Sequence, residues 1–293
     1  MNSPWRDNDE MWETCAALLP DLSSIGEREV LIAGGYGLFL KQNWLIQNPD
    51  IPSLVPIRDW RDNTPRSTKD IDLAIGLDLI ADEGKHKHVV SLLERNGFEV
   101  EPNHKNWGWI KKLPKDRSVL VELHAPPPES GAERLVRDGR RVKRKPSFSD
   151  AGFHGNLNSE LVGYELHPYR FELDHVTITI PNPVTFAVMK ITAAHELWEK
   201  GQSITQDARD KRDKAIKHAE DVFRVIAMVT RAEADQSAEI LAAIRLSQAY
   251  QKAADFVETS FAELGHWSAN EARVQWNPVD FERMRAFLRN WFT

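Results

Sequence analysis

The segment Thr68-Lys69-Asp70-Ile71-Asp72-Leu73-Ala74-Ile75 constrains this chain more than any other. Its alternation from residue 71 to 75 reads as a strand. Successive side chains of a strand point to opposite faces, so Asp70 and Asp72 share one face. Two carboxylates held that close repel unless a cation lies between them. A hard divalent ion such as Mg²⁺ takes carboxylate oxygens and keeps places for phosphate and water. A solvated Asp-x-Asp in a turn is the plainer alternative, and the flanking sequence decides between the two.

Upstream, the apolar run Val30-Leu31-Ile32-Ala33 stops at Gly34-Gly35. It reads as a buried strand entering a tight turn, with a helix over residues 36–46. Such a turn offers backbone N–H groups at a helix start to a phosphate. Arg66, Ser67 and Thr68 set a cation and two hydroxyls just before the carboxylates. Downstream, Leu120-Val121-Glu122-Leu123-His124 buries an acid between apolar neighbours. That is expensive unless the acid is paired or binds metal. The alternative is an edge strand with Glu122 and His124 facing solvent.

At 293 residues the chain has room for about two domains. A first helix is expected over 10–19, ended by Pro20. Residues 48–65 carry four prolines (Pro49, Pro52, Pro56, Pro65) and read as a loop or insertion. A helix over 87–95 is terminated by Asn96-Gly97, and strands are expected at 98–101, 107–113 and 118–124. This β-α-β-α-β-β-β order predicts an α/β unit with a mixed sheet. Pro126-Pro127-Pro128 ends it. A basic, irregular stretch over 133–145 follows, then strand-like segments at 161–166 and 176–180, and helices from Pro183 onward. The expected class is α+β: an N-terminal domain over 1–128, a basic connecting region with strands over 129–181, and a mainly helical domain over 182–293.

In that helical part, Asn182-Pro183 is a good helix start. Lys190 lies three and four positions from Phe186, Ala187, Ala193 and Ala194, all apolar. An ammonium in such a stripe either snorkels to water or meets an anion. Asp221, within Lys217-His218-Ala219-Glu220-Asp221, is a further acidic candidate on a mixed helix face.

Lys plus Arg number 38 against 44 Asp plus Glu, a net charge of −6, which excludes nucleic-acid binding by bulk charge. A local patch remains: residues 133–145 hold Arg134, Arg137, Arg140, Arg141, Lys143, Arg144 and Lys145 against Glu133 and Asp138, a net of +5. The strip is either an RNA-binding surface built on Arg137, Arg140, Arg141, Lys143 and Arg144, or a solvated loop, or a dock for an acidic partner. Cys15 is the only cysteine, so an intrachain disulfide and a Cys-based zinc site are excluded. No run approaches the ~20 apolar residues of a membrane span. The first residues lack a secretion signal, so the expected compartment is the cytoplasm. His86-Lys87-His88 do not share a helix face, and His195-Glu196 lacks the second histidine of a zincin helix.

Together, Gly34-Gly35, Asp70-Ile71-Asp72 and Glu122 resemble the nucleotidyltransferase fold of the DNA polymerase β superfamily. The wording of 32–38 and 66–73 is most similar to the AbiEii/MenT group of bacterial nucleotidyltransferases, which includes toxins of toxin–antitoxin and abortive-infection systems. The resemblance covers 30–122 and 183–229, with an unusually long span between Gly35 and Asp70. It implies transfer of a nucleoside monophosphate from an NTP to an acceptor hydroxyl, with release of pyrophosphate. Asp70 and Asp72 would hold two Mg²⁺ ions, with Glu122 as third ligand or base. Gly34, Gly35, Arg66, Ser67 and Thr68 would cradle the phosphates, Lys190 would neutralise them, and Asp221 would orient Lys190 by an ion pair. The implied acceptor is RNA, such as a tRNA 3′ end, and the implied protein partner is an antitoxin. Modification of a small molecule such as an antibiotic, or a non-catalytic binding module, are the other readings.

Overall fold

The structure, a computed structural model, describes residues 9–23, 25–26, 30–65, 68, 70–104, 106–128, 134–145, 153–261 and 265–293. It is α+β, with a mixed sheet and ten α-helices among the described residues. The chain divides into two compact units. The first comprises Met1–Trp44, Pro65–Leu161 and Pro168–Pro181; the second comprises Leu45–Thr64, Val162–His167 and Asn182–Thr293.

In chain order the first unit holds α1 (Asp9–Ser23), β1 (Val30–Ile32), most of α2 (Gly34–Gln47), β2 (Asp70–Ile75), α3 (Leu77–Ala81), α4 (Glu83–Arg95), β3 (Glu99–Val100), β4 (Gly108–Leu113) and β5 (Arg117–Ala125). It continues with β6 (Leu135–Asp138), β7 (Arg141–Arg144), β8 (Gly155–Leu157), β9 (Tyr169–Leu173) and β10 (Val176–Ile180). An eight-stranded sheet runs β1-β2-β5-β8-β7-β6, with β4 also on β5 and β3 on β4. The pairs β2/β5 and β5/β8 are parallel and the rest are antiparallel. β9 and β10 form a separate hairpin.

β5 lies at the centre, and its two faces differ as period-two alternation requires. Val119, Val121, Leu123 and Ala125 are buried, whereas Leu120, Glu122 and His124 on the other face are half-buried. α1 packs on β5 and on α4, contributing Met11, Cys15, Leu18, Leu19 and Leu22 to the core. α4 contributes Val89, Leu92 and Leu93 from its apolar stripe and is capped by Asp82, whose side chain accepts from the Lys85 N–H.

The second unit contains α5 (Pro183–Gly201), α6 (Ala208–Ala227), α7 (Arg231–Ile244), α8 (Gln248–Phe256) with a π-helical turn after it (Val257–Phe261), α9 (Trp267–Arg273) and α10 (Pro278–Phe292). α5 and α6 pack along each other and form its spine. The proline-rich segment belongs to this unit and is mostly irregular, with a short 3-10 turn at Ile57–Asp59. Its Leu54 and Val55 N–H groups reach the carbonyls of Val229 and Ala227 at 2.8 and 3.0 Å, and Trp60 packs edge-on against Trp276.

Four local expectations are corrected. Pro20 lies inside α1, which runs on to Ser23; a proline removes one N–H and strains one turn, and the apolar face of Leu18, Leu19 and Leu22 outweighs that. The basic stretch expected to be irregular over 133–145 is, in its described residues 134–145, a hairpin of β6 and β7 in which Leu135 and Val142 are buried and Gly139, at φ +62°, makes the turn. Residues 161–166 form turns instead of a strand. Their carbonyls are taken by the start of α5: Asn182 Nδ2 donates to Gly163 and Leu166, and Thr185 Oγ1 to Val162. β8, β9 and the short α3 are additions to the expected elements, because each is brief and β8 and β9 are interrupted by polar residues.

α4 also buries a histidine. The Phe153 N–H donates to His86 Nε2 at 3.2 Å, and the two rings stack with centroids 4.3 Å apart. Burial, reinforced by the charges of His154 and Arg144, lowers its pKa from 6.5 to about 4. The folded state therefore keeps His86 neutral while the unfolded chain takes up a proton below pH 6.5. The stability this contributes is full above pH 6.5 and is lost as pH falls towards 4, at up to about 1.4 kcal/mol per pH unit. Urea midpoints measured from pH 7 to 4.5 should show that slope, and His86→Gln should flatten it. Equal slopes in the two proteins would contradict the assignment.

Candidate functional site

β2 and β5 pair in parallel with Asp70 opposite Leu120, Asp72 opposite Glu122 and Ala74 opposite His124. Apolar Ile71 and Leu73 fill the covered face, so both aspartates turn to the half-buried one. Directly paired strands stand about 4.8 Å apart, and Asp72 and Glu122 are therefore forced side by side. His124, two residues beyond Glu122, lies on the same face. Its Nε2 is 3.0 Å from Asp72 Oδ1 and 3.8 Å from Glu122 Oε2. One ligand atom from each of Asp72, Glu122 and His124 falls within 4.8 Å of the others.

The charges respond to that crowding. Burial pushes the Glu122 carboxyl above its usual range, aided by Asp72 and Asp70, while His124 and His104 pull the other way. For His124, burial acts to lower the pKa, but its hydrogen bond to Asp72 and the charges of Asp72, Glu122 and Asp70 outweigh it, and the net shift is upward. The His124 ring thus stands against both carboxylates of this face.

Three glycines border the face. Gly34 opens α2 at φ +63°, and a Cβ there would lie 1.7 Å from Asp72 Oδ2. No other residue type fits, because the helix start and the carboxylate occupy adjacent space. The Ala33 N–H, just before it, donates to the Asp72 carbonyl at 2.8 Å. Gly35 faces Thr68 at van der Waals distance, and Thr68 Oγ1 donates to Asp70 Oδ1. On β4, Gly108 is paired with Glu122, and a Cβ there would meet His104 Cβ at 2.4 Å. His104 thereby reaches Glu122 Oε1 at 3.7 Å through Nε2, and Glu101 Oε2 at 3.1 Å through Nδ1.

The residues singled out in the sequence distribute as follows. Gly34, Gly35, Thr68, Asp70, Asp72 and Glu122 gather around one sheet face, whereas Arg66 and Ser67 lie outside the described residues. Asp70 is not among the three clustered ligand groups. His124 and His104 are additions. His124 is recoverable from its i+2 spacing to Glu122, whereas nothing local marks His104, which arrives from a 3-10 turn (Pro102–His104) over a glycine.

In the helical unit, Lys190 on α5 and Asp221 on α6 form an ion pair at 2.9 Å, both almost wholly buried. His218 Nδ1 stands 4.0 Å from the same carboxylate oxygen. The lysine tolerates its apolar stripe because its charge is matched within the unit. The basic strip is partly self-neutralised: Arg141 and Lys143 both pair with Asp138. Arg137, whose Nε donates to the Gly139 carbonyl, and Arg140 are exposed at the hairpin turn. Arg144 is half-buried on β7.

The donor set fits a divalent cation. Two carboxylates and an imidazole converge on one face, and the glycines at 34 and 108 give the Asp72 carboxylate and the His104 ring the places a Cβ would take. No helix among the described residues is long and apolar enough to cross a membrane. No protein-family model, curated protein or solved structure matches the chain.

Removing one partner of a buried ion pair strands the other charge and costs about 3–5 kcal/mol. Lys190→Met and Asp221→Leu should each lower the urea-derived stability by that order, and the double variant by clearly less than the sum. Full additivity would show that the pair is not coupled.

Proposed function

We propose that the chain is a metal-dependent nucleotidyltransferase that moves a nucleoside monophosphate from an NTP to a hydroxyl of RNA. The observation that carries the reading is the meeting of the Gly34 helix start, Asp72 and Glu122 on one sheet face. These are the three elements whose sequence wording resembles the DNA polymerase β superfamily.

The chemistry follows from charge. The acceptor hydroxyl oxygen attacks the α-phosphorus of the NTP, the bond to the β-phosphate oxygen breaks, and pyrophosphate leaves. Divalent ions, Mg²⁺ by the resemblance, would supply charge stabilisation for the attacking and departing oxygens. Asp70 and Asp72 hold the cation side of the site, and the Gly34-Gly35 helix start directs backbone N–H groups at phosphate oxygens. Glu122 either joins the metal ligands or accepts the acceptor's proton, a role favoured by a carboxyl that burial holds above its usual range. The exposed Arg137 and Arg140 offer contacts to an RNA backbone. By the same resemblance, the enzyme would act as a toxin-like component restrained by an antitoxin.

The test is label transfer from each α-labelled NTP to total RNA, with Asp70→Ala/Asp72→Ala as control. Labelled RNA with the native chain, and at least a thousand-fold less with the folded variant, is the expected result. Neutralising Arg137 and Arg140 should weaken RNA binding and reduce its salt dependence by roughly one unit of slope for each phosphate no longer engaged. Undiminished transfer by the double aspartate variant would refute the reading. Failure to label RNA, with nucleotide-dependent loss of a small hydroxylated acceptor, would shift it to the small-molecule alternative.

A further inference from the structure

We infer that His124 is a third metal ligand beside Asp72 and Glu122, and that it tunes this face to a first-row transition ion such as Mn²⁺ in preference to Mg²⁺. The inference rests on the metal-dependent reading above and adds the identity of the ion. Three observations carry it.

The first is position. His124 shares the face of Glu122 by strand alternation, and its Nε2, 3.0 Å from one Asp72 oxygen and 3.8 Å from a Glu122 oxygen, is the ring nitrogen turned into the cluster. Ligand atoms within 4.8 Å of one another need little movement to surround a single ion. The second is the ring's surroundings. Nδ1 is buried and has no hydrogen-bond partner among the described residues. The ring is therefore oriented by the two carboxylates in front of it, and no competing partner behind it has to be broken for Nε2 to serve a metal.

The third is the cleared backbone. Gly34 leaves Asp72 Oδ2 room that any Cβ would fill, and Gly108 does the same for His104 beyond Glu122. Those places are taken by the Asp72 carboxylate and the His104 ring, so the two glycines let these side chains close around Glu122 and His124 instead of being pushed off the face. Chemistry then selects the ion. Mg²⁺ favours all-oxygen sites and gives up its waters reluctantly. Imidazole is a better ligand for transition ions, whose affinity for mixed nitrogen–oxygen sites is higher. His104 is not included, because its Nε2 approaches only Glu122, at 3.7 Å, and not Asp72.

The test is electron paramagnetic resonance of Mn²⁺ titrated into the full chain without nucleotide, with Mg²⁺ as competitor. The expected result is one Mn²⁺ bound at least tenfold more tightly than Mg²⁺, with the nitrogen-14 coupling of a directly bound imidazole in pulsed spectra. His124→Gln should abolish the coupling and weaken Mn²⁺ at least tenfold, while changing Mg²⁺ affinity less than threefold. His104→Gln should keep the coupling. Mn²⁺ bound without nitrogen coupling, displacement by equimolar Mg²⁺, or no binding at all would each overturn the inference. The coupling in the native chain needs no variant, so a misfolded variant cannot obscure the answer. Label transfer without nitrogen coupling removes the histidine ligand and leaves the nucleotidyltransferase. Coupling without label transfer does the reverse.

Discussion

Parallel pairing of β2 with β5 sets Asp72 directly against Glu122, and most of what is unusual in the first unit answers that one contact. Two like charges a strand apart, on a half-buried face, are tolerated only with compensation. Here His124 on the strand of Glu122, and His104 reached across a glycine, lie against these carboxylates. The glycine at the start of α2 belongs to the same accommodation, since it lets a helix terminus close on a carboxylate that a Cβ would displace. A helix start is electropositive, so the close approach is favourable for Asp72 and equally suited to a phosphate. Strand register, glycine placement and histidine placement are thus consequences of one electrostatic problem.

The helical unit shows the same rule with a different solution. Lys190 and Asp221 are buried more deeply than anything on the sheet face, and they neutralise each other on adjacent helices. A third buried charge, Glu233, is taken up by the capping box at the start of α7, where it accepts from the Thr230 N–H and hydroxyl. Both buried carboxylates named here thus have a partner within the unit, whereas Asp72 and Glu122 on the sheet face lie side by side with His124 against them.

Much of this was legible in the sequence where one residue type had one physical use. Strand alternation located Asp70, Asp72 and Glu122 on β2 and β5, and Asn182-Pro183 marked the start of α5, with the asparagine side chain accepting from Thr185 as a cap should. What escaped was set by distant partners. The 161–166 run looks like a strand because it is apolar, yet Asn182 and Thr185 claim its carbonyls as turns. The basic hairpin escaped because arginines and lysines mask the alternation of Leu135 and Val142. His104 carried no local signal, since only the missing Cβ of Gly108 admits it. The pairing of both Arg141 and Lys143 with one Asp138 is likewise invisible in a net-charge count, and it narrows the exposed basic surface to fewer side chains than the composition suggests.

The central claim is that the Asp72–Glu122 face binds a metal-complexed nucleoside triphosphate. Isothermal titration calorimetry with a non-hydrolysable NTP analogue and a divalent ion tests it without relying on turnover. The account predicts binding that requires the ion, is weakened at least tenfold by Asp72→Asn, and is likewise weakened by Glu122→Gln. Binding that is equally tight without the ion, or unchanged in both variants, would contradict it.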